Sequence, residues 1–359
     1  MKYFLSIALL ICSVAVQAQT GALSFKNREI TLKNLPADTE EQRAVFQFKN
    51  TGNVPVIITR VVPVSSQLKA HWPEAPVAPG ASSEISVTFL SYQLPEIFNY
   101  NISVFSNAGS PREQLLLAGN IVDNPKKPDL LYKHPMAGLK FKSSSVNLNT
   151  VYVNQVKKDT IYFFNGTDST VRVAVKRTPT AVTLDIPQPE VAPGKKGVIY
   201  LTYDAAKKND YGYQYESVIL SINNDNTFRN RLNLSANIVE DFTKLSRQQL
   251  ENAPVASFKE TTVNFGDLKQ GEKANCDFVL TNNGKSDLII RKTTASCGCT
   301  AVALGEKNIA PGMSTTIRAT FDSTGKSGRQ YKSVTVITND PKNPETILTI
   351  SGAIVTNSQ

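Results

Sequence analysis

FVLTNNGK (residues 278–285) reads as an alternating apolar strand running into an Asn-Gly turn, and the chain contains it twice more: FQFKNTGN at 46–53 and IYFFNGTD at 161–168. Side chains two residues apart share one face of a strand. Phe46 and Phe48, Ile161 and Phe163, and Phe278 and Leu280 should therefore point into a core. Asn50-Thr51-Gly52, Asn165-Gly166 and Asn283-Gly284 then read as left-handed turns that close hairpins. Two more landmarks recur in the same order. One is Ala-Pro-Gly at 78–80, 192–194 and 310–312, each followed by an alternating strand. The other is a closing strand ending Gly119-Asn120-Ile121-Val122, Ala236-Asn237-Ile238-Val239 and Gly352-Ala353-Ile354-Val355, whose final valines lie 117 and 116 residues apart. Three landmarks in one order at one spacing mean three copies of one domain.

Each copy is made of short period-two runs separated by Gly, Pro, Asn and Asp. In the third these are 261–265, 276–281, 287–292, 315–321, 332–338 and 346–355. Strands this short, with turn signals at roughly ten-residue intervals, predict an antiparallel immunoglobulin-like sandwich of about seven strands. A copy of about 100 residues buries enough surface to hold its own core. The expected fold is all-β: three tandem sandwiches at 19–122, 139–239 and 256–359. Between them, 123–138 carries Pro125, Pro128 and Pro135 and reads as an extended, stiff spacer. Residues 240–255 read as a short helical linker, with Ser246 and Gln249 at capping-box spacing and Pro254 as the stop. Stiff links between sandwiches suggest a rod.

Residues 1–18 have the form of a secretory signal peptide: Lys2, an apolar run from Tyr3 to Val16, and Val16-Gln17-Ala18 for cleavage. That run is too short to span a bilayer, and the residues before Cys12 do not form a lipobox. The chain carries 39 basic and 30 acidic residues, net +9, which becomes +8 once Lys2 is removed. The basic residues are scattered, with Lys157-Lys158 as the one compact group and Lys195-Lys196 and Lys207-Lys208 nearby in the same third of the chain. This is a solvated surface, with an anionic envelope partner as the alternative. Nucleic acid is not expected as a partner of an exported chain. The sequence ends just after the last closing strand, which favours periplasmic residence over surface sorting.

The third copy strongly resembles a known bacterial family. FVLTNNGKSDLIIRKTTASCGCTAV, IAPGMSTTIRATFD, GRQYKSVTVITND and TILTISGAIV occur in the order of the "domain of unknown function 1573" family. Its members are immunoglobulin-like sandwiches related to the major sperm protein and Hydin-type domains. The first copy matches less fully and the second less again. The resemblance implies the fold, export and a Bacteroidota-type source; it implies no defined activity.

Beyond the leader lie Cys276, Cys297 and Cys299, an odd number for an oxidising compartment. Cys276 occupies the slot of Ala44 and Asp159 in the other copies. It reads as a small core-facing residue, or as a bridge to Cys297 or Cys299. For Cys297-Gly298-Cys299 four readings stand: a structural corner with or without its own disulfide, which Gly298 would permit; a thiol facing a partner; a redox pair; or a metal site. Redox work calls for a cation or helix N-terminus beside a thiol, and Ser296 and Thr300 are the neighbours here. Zinc prefers four ligands, the three cysteines supply three, and His71 and His134 lie in the first copy and first linker. Cu(I) is the metal that two or three thiolates suit. The structural corner fits best, and no cofactor is expected.

With two histidines there is little from which to build a catalytic triad, so the chain is not expected to be an enzyme. Trp72, the one tryptophan, sits beside His71 in the segment that replaces SCGCT in the first copy. It reads as an exposed contact loop, or as an aromatic capping its own sandwich. Asp-Thr-Ile at 159–161 and Asp-Ser-Thr at 168–170 and 322–324 have the form of short O-glycosylation sequons. The expected function is a periplasmic, non-enzymatic envelope scaffold that docks or spaces protein partners, at most peripheral to an outer-membrane complex. The alternatives are a chaperone-like binder of client strands and a thiol-redox or Cu(I)-binding protein.

Overall fold

The computed structural model describes residues 20–355. The leader 1–18, its cleavage site and Cys12 lie outside the described residues. The chain divides into two compact units, one ending at Lys133 and the other beginning at His134.

The first unit holds sandwich 1. Its strands are β1 (Leu23–Phe25), β2 (Glu29–Pro36), β3 (Glu41–Asn50), β4 (Ile58–Pro63), β5 (Lys69–His71), β6 (Ser82–Leu90), β7 (Ile97–Ser106) and β8 (Arg112–Val122). They form two sheets, β1-β3-β6-β5 and β2-β8-β7-β4. Phe46, Phe48, Ile85, Ile102, Leu115 and Leu117 fill the space between them. The expected spacer does not extend away. Residues 123–133 fold back on the sandwich: Leu130 and Leu131 pack on its core, Asn124 Nδ2 donates to Ala37 O at 2.9 Å, and Lys127 pairs with Asp38 at 2.6 Å. Prolines stiffen a chain, but the apolar side chains beside them decide where it goes.

The second unit holds sandwiches 2 and 3. Sandwich 2 comprises β9 (His134–Met136), β10 (Leu139–Phe141), β11 (Ser145–Tyr152), β12 (Val156–Asn165), β13 (Val171–Arg177), β14 (Val182–Asp185), β15 (Glu190–Val191), β16 (Lys196–Asp204), β17 (Gly212–Ile222) and β18 (Arg231–Val239). Its sheets are β14-β16-β12-β10-β9 and β11-β18-β17-β13-β15, so His134 and Pro135 belong to a sheet. A four-residue helix, α1 (Ala205–Lys208), interrupts the repeat where none was expected; Asp204 caps it. After β18 comes α2 (Arg247–Glu251) with both halves of the Ser246–Gln249 capping box formed. Sandwich 3 comprises β19 (Ala256–Phe258), β20 (Thr262–Lys269), β21 (Lys273–Asn282), β22 (Leu288–Ala295), β23 (Thr300–Leu304), β24 (Asn308–Ile309), β25 (Ser314–Asp322), β26 (Gly328–Thr338) and β27 (Glu345–Val355). Its sheets are β19-β21-β25-β23 and β20-β27-β26-β22-β24.

Two sequence-based expectations change. The sandwiches are not wholly antiparallel, because β2 pairs parallel with β8, β11 with β18 and β20 with β27. The opening segment of each copy switches sheets: its first part pairs with β3, β12 or β21, and its second lies beside the closing strand. The Asn-Gly turns also do not close hairpins, since β3, β12 and β21 lead into the opposite sheet. Asn50, Asn165 and Asn282 are instead fully buried at that crossing. Asn282 Nδ2 donates to Ser286 O and Ile309 O, both at 2.8 Å, and its Oδ1 accepts the Gly284 N–H at 2.9 Å. Asn50 and Asn165 make the matching bonds to Val54 and Val77, and to Ser169 and Val191. The Pro-Gly turns close on the same residues: Gly80, Gly194 and Gly312 have φ of 77°, 70° and 76°, and their N–H groups donate to the Asn50, Asn165 and Asn282 carbonyls. Two of the three repeated landmarks are thus halves of one buried polar knot.

Candidate functional site

In sandwich 3, β22 ends at Ala295 in one sheet and β23 begins at Thr300 in the other, so Ser296–Cys299 carry the chain across the sandwich corner. Both ends of this turn are tied. Ser296 N–H donates to Ser333 O at 2.9 Å and its Oγ accepts from Ser333 N–H at 3.0 Å. Asp322 N–H donates to Cys299 O at 2.9 Å, and Thr300 N–H to Cys297 O at 3.2 Å. Within it Cys297 and Cys299 form a disulfide, with Cα atoms 5.3 Å apart. Both residues are half-buried, and Cys297 Sγ lies 3.6 Å from Thr300 Oγ1. Gly298 is not what permits the ring. A Cβ there meets nothing within 4 Å, and its φ lies outside the left-handed region.

Cys276 is elsewhere. It pairs with Ala319 between β21 and β25, is buried in the core with Phe278, Ile317 and Val334, and is a free thiol. Burial, helped by the neighbouring Asp277 carboxylate, pushes this thiol up from its ordinary value and keeps it protonated. The structure therefore brings Cys297 and Cys299 together and leaves Cys276 apart, without the cross-sandwich bridge. Among the described residues no group of three His, Cys, Asp or Glu side chains is placed to hold a metal ion. What the corner can do chemically is what any disulfide can: an attacking thiolate bonds to one sulfur, forming a mixed disulfide and releasing the other sulfur as a thiolate.

In the first unit, Lys69–His71 form an edge strand pairing Ala70 with Val87 and His71 with Ser86, so this stretch is not a loop. His71 is exposed, while Trp72 is half-buried against the core of its own sandwich. Of the three glycosylation-like triplets, the last is closed off, because Ser323 is buried with its hydroxyl donating to Lys269 O and Glu272 O.

A polar cluster that the sequence did not reveal joins sandwiches 2 and 3. Arg291 on β22 grips Glu240 with two parallel bonds of 2.9 Å and lies over the Tyr211 ring, centroid at 5.8 Å. Lys292 Nζ reaches Asp210 at 2.8 Å. Burial alone would raise the Asp210 carboxyl, but bonds from Lys292, the Tyr211 N–H and Gln214 outweigh it and hold the group below the usual carboxylate range. A bidentate guanidinium–carboxylate pair fixes orientation as well as distance. No local pattern announces it, since the partners are 51 and 82 residues apart.

The profile of the family described as "Protein of unknown function (DUF1573)" matches the chain three times, over residues 23–121, 139–238 and 256–354. No curated protein matches. Among solved structures, a protein of unknown function from Porphyromonas gingivalis W83 is 18% identical; the match covers 61% of this chain and 100% of that one, with a TM-score of 0.44. The PapD-like domain 7 of human CEP192 is 12% identical over 34% of this chain and 99% of its own, with a TM-score of 0.25. Titin domains I67–I69 are 10% identical over 95% of this chain and 100% of their own, with a TM-score of 0.21. Among the described residues no helix is long and apolar enough to cross a membrane.

Proposed function

The chain belongs to the DUF1573 family through all three of its sandwiches, and from that premise we propose that it is a non-enzymatic scaffold, exported to the periplasm, that docks or spaces proteins of the cell envelope. The observation that carries this reading is the junction between sandwiches 2 and 3. A spacer needs its domains held at a set distance, and the Arg291–Glu240 fork with the Lys292–Asp210 pair supplies that constraint. Free edges supply the means of attachment. In the sandwiches β5, β14 and β23 each end a sheet and leave backbone N–H and C=O groups for an added strand.

The test is photocrosslinking in cells that export the chain, with p-benzoylphenylalanine placed at His71 on β5 and at Ala303 on β23, both exposed. The expected result is a discrete protein adduct at one of these edges, recovered from the periplasmic fraction. Absence of an adduct at either edge, or retention of the chain in the cytoplasm, refutes the reading.

A further inference from the structure

The outward faces of the sheets that carry the closing strands repeat a feature that holding the sheet does not require. In sandwich 2, Tyr215 on β17 stands opposite Ser235 on β18, which stands opposite Asn147 on β11. In sandwich 3 the same register holds Tyr331 on β26, Ser351 on β27 and Asn264 on β20. Sandwich 1 has Asn99, Ala118 and Thr31 there and pairs its three strands in the same way. Tyr215 is 80% exposed and Tyr331 68%. Beside Tyr215, Tyr213 is 57% exposed, with ring centroids 5.0 Å apart.

Each asparagine is already oriented. Asn147 Oδ1 accepts the Asn149 N–H at 2.9 Å and the Ser235 hydroxyl at 3.3 Å, and Asn264 Oδ1 accepts the Gly266 N–H at 2.8 Å. In both sandwiches the chain bulges just after the asparagine, and the bulge occupies the amide oxygen. The two amide N–H groups are thus left as outward donors on a row with an exposed aromatic ring. Neither row contains a charge. Around the first lie Ser217, Asn233 and Asn237; around the second, Arg329 and Asp267 contribute one charge of each sign.

On a chain of net charge +9, one patch without a charge and one whose two charges cancel are poor matches for lipid headgroups or acidic polymers. Their complement is an uncharged ring with an apolar face and hydroxyls at its rim, which is the chemistry of a sugar. Two copies of the row, on sandwiches tied by Arg291 and Glu240, match a ligand that itself repeats. We propose that sandwiches 2 and 3 bind a neutral linear polysaccharide, one saccharide segment on each Tyr–Ser–Asn row. This goes beyond the docking role: the ligand is not a protein, and the surface is a sheet face rather than an edge.

The test uses the purified exported chain in affinity gels containing neutral glycans (laminarin, mannan, dextran) or acidic ones (alginate, polygalacturonate), followed by titration with a tetrasaccharide of the polymer that retards it. At least one neutral glycan should retard migration, and the acidic ones should not. Tyr215→Ala and Tyr331→Ala should each weaken polymer binding about a hundredfold by removing one of two linked sites. For the tetrasaccharide each should lower the stoichiometry from two to one, and the double variant should not bind. The tyrosines are surface residues, so near-UV circular dichroism should show the variants folded. Failure of every neutral glycan to retard the chain overturns the proposal, as does retardation by acidic glycans alone or binding that survives in the double variant. Protein adducts through Tyr215 and Tyr331 without glycan binding also overturn it and assign the rows to protein docking.

Discussion

Asn282→Ala should destabilise sandwich 3 by about 3 kcal/mol and leave sandwich 1 untouched. The side chain is fully buried, and truncation removes its bonds to four backbone groups, the weakest being that from the Val255 N–H at 3.4 Å. Ile309 O is enclosed, and leaving it unpaired costs about 2 kcal/mol; Ser286 O and the Gly284 N–H are partly wet and together add about 1 kcal/mol. With a urea dependence of about 1.5 kcal/mol per molar for a domain of this size, the midpoint should fall by about 2 M. The chain carries its own reporters. Trp72, the single tryptophan, packs on the core of sandwich 1, and Cys276, a free thiol buried in sandwich 3, becomes reactive when that domain opens. Maleimide labelling of Cys276 in Asn282→Ala should therefore begin at lower urea while the Trp72 fluorescence transition stays in place. Asn50→Ala should do the reverse. A Cys276 midpoint that moves by less than about 0.3 M, or a Trp72 transition that moves with it, would show that the asparagine is only a turn residue and that the knot is not what ties the crossing.

Gly284→Ala and Gly52→Ala should each cost about 2 kcal/mol or more in the same assay, since a Cβ would sit 2.5 Å from Ala253 O and 2.3 Å from Thr20 O, and backbone cannot step aside. Gly298→Ala should change stability by less than about 0.5 kcal/mol. Replacing both Cys297 and Cys299 by serine should cost only about 1–2 kcal/mol, because a disulfide across two residues constrains little of the unfolded chain; a thermal melt measures it. Arg291→Ala should loosen sandwich 3 from sandwich 2, read as new proteolytic cleavage within residues 240–254. Acid should loosen the same junction. The Asp210 carboxyl is held below its ordinary value of about 3.9, so its contribution is complete above that pH and is lost as pH falls through the lower folded value. Small-angle scattering between pH 6 and 2 should show added flexibility only below about pH 4, and loosening already at pH 6 would assign the junction to other contacts.

How much could be read in advance follows from how local each signal is. The second-strand phenylalanines, leucine and isoleucine are all buried as their alternation predicted, because strand periodicity is written in neighbouring residues. The capping box of α2 spans four residues and was equally legible. Strands of two or three residues, such as β1, β5 and β24, are too short to carry a pattern and were missed; so was α1, which a single Asp204 cap starts.

By itself the sequence determined the repeat, the strand-rich sandwich class and which faces are buried. All of these rest on spacings of two residues within a strand or about 117 between copies. Tertiary structure alone decided the rest. Asn282 looks like a turn residue until Ile309, 27 positions away, is brought against it. The opening strands run parallel to the closing ones because each opening segment changes sheets, and nothing within that segment marks the change. Arg291 finds Glu240 across a domain junction, and each Tyr–Ser–Asn row is assembled from three separate strands. Hydrophobic alternation is a property of one strand; a polar knot, an ion-pair fork or a binding row is a property of several, and exists only once their register is set.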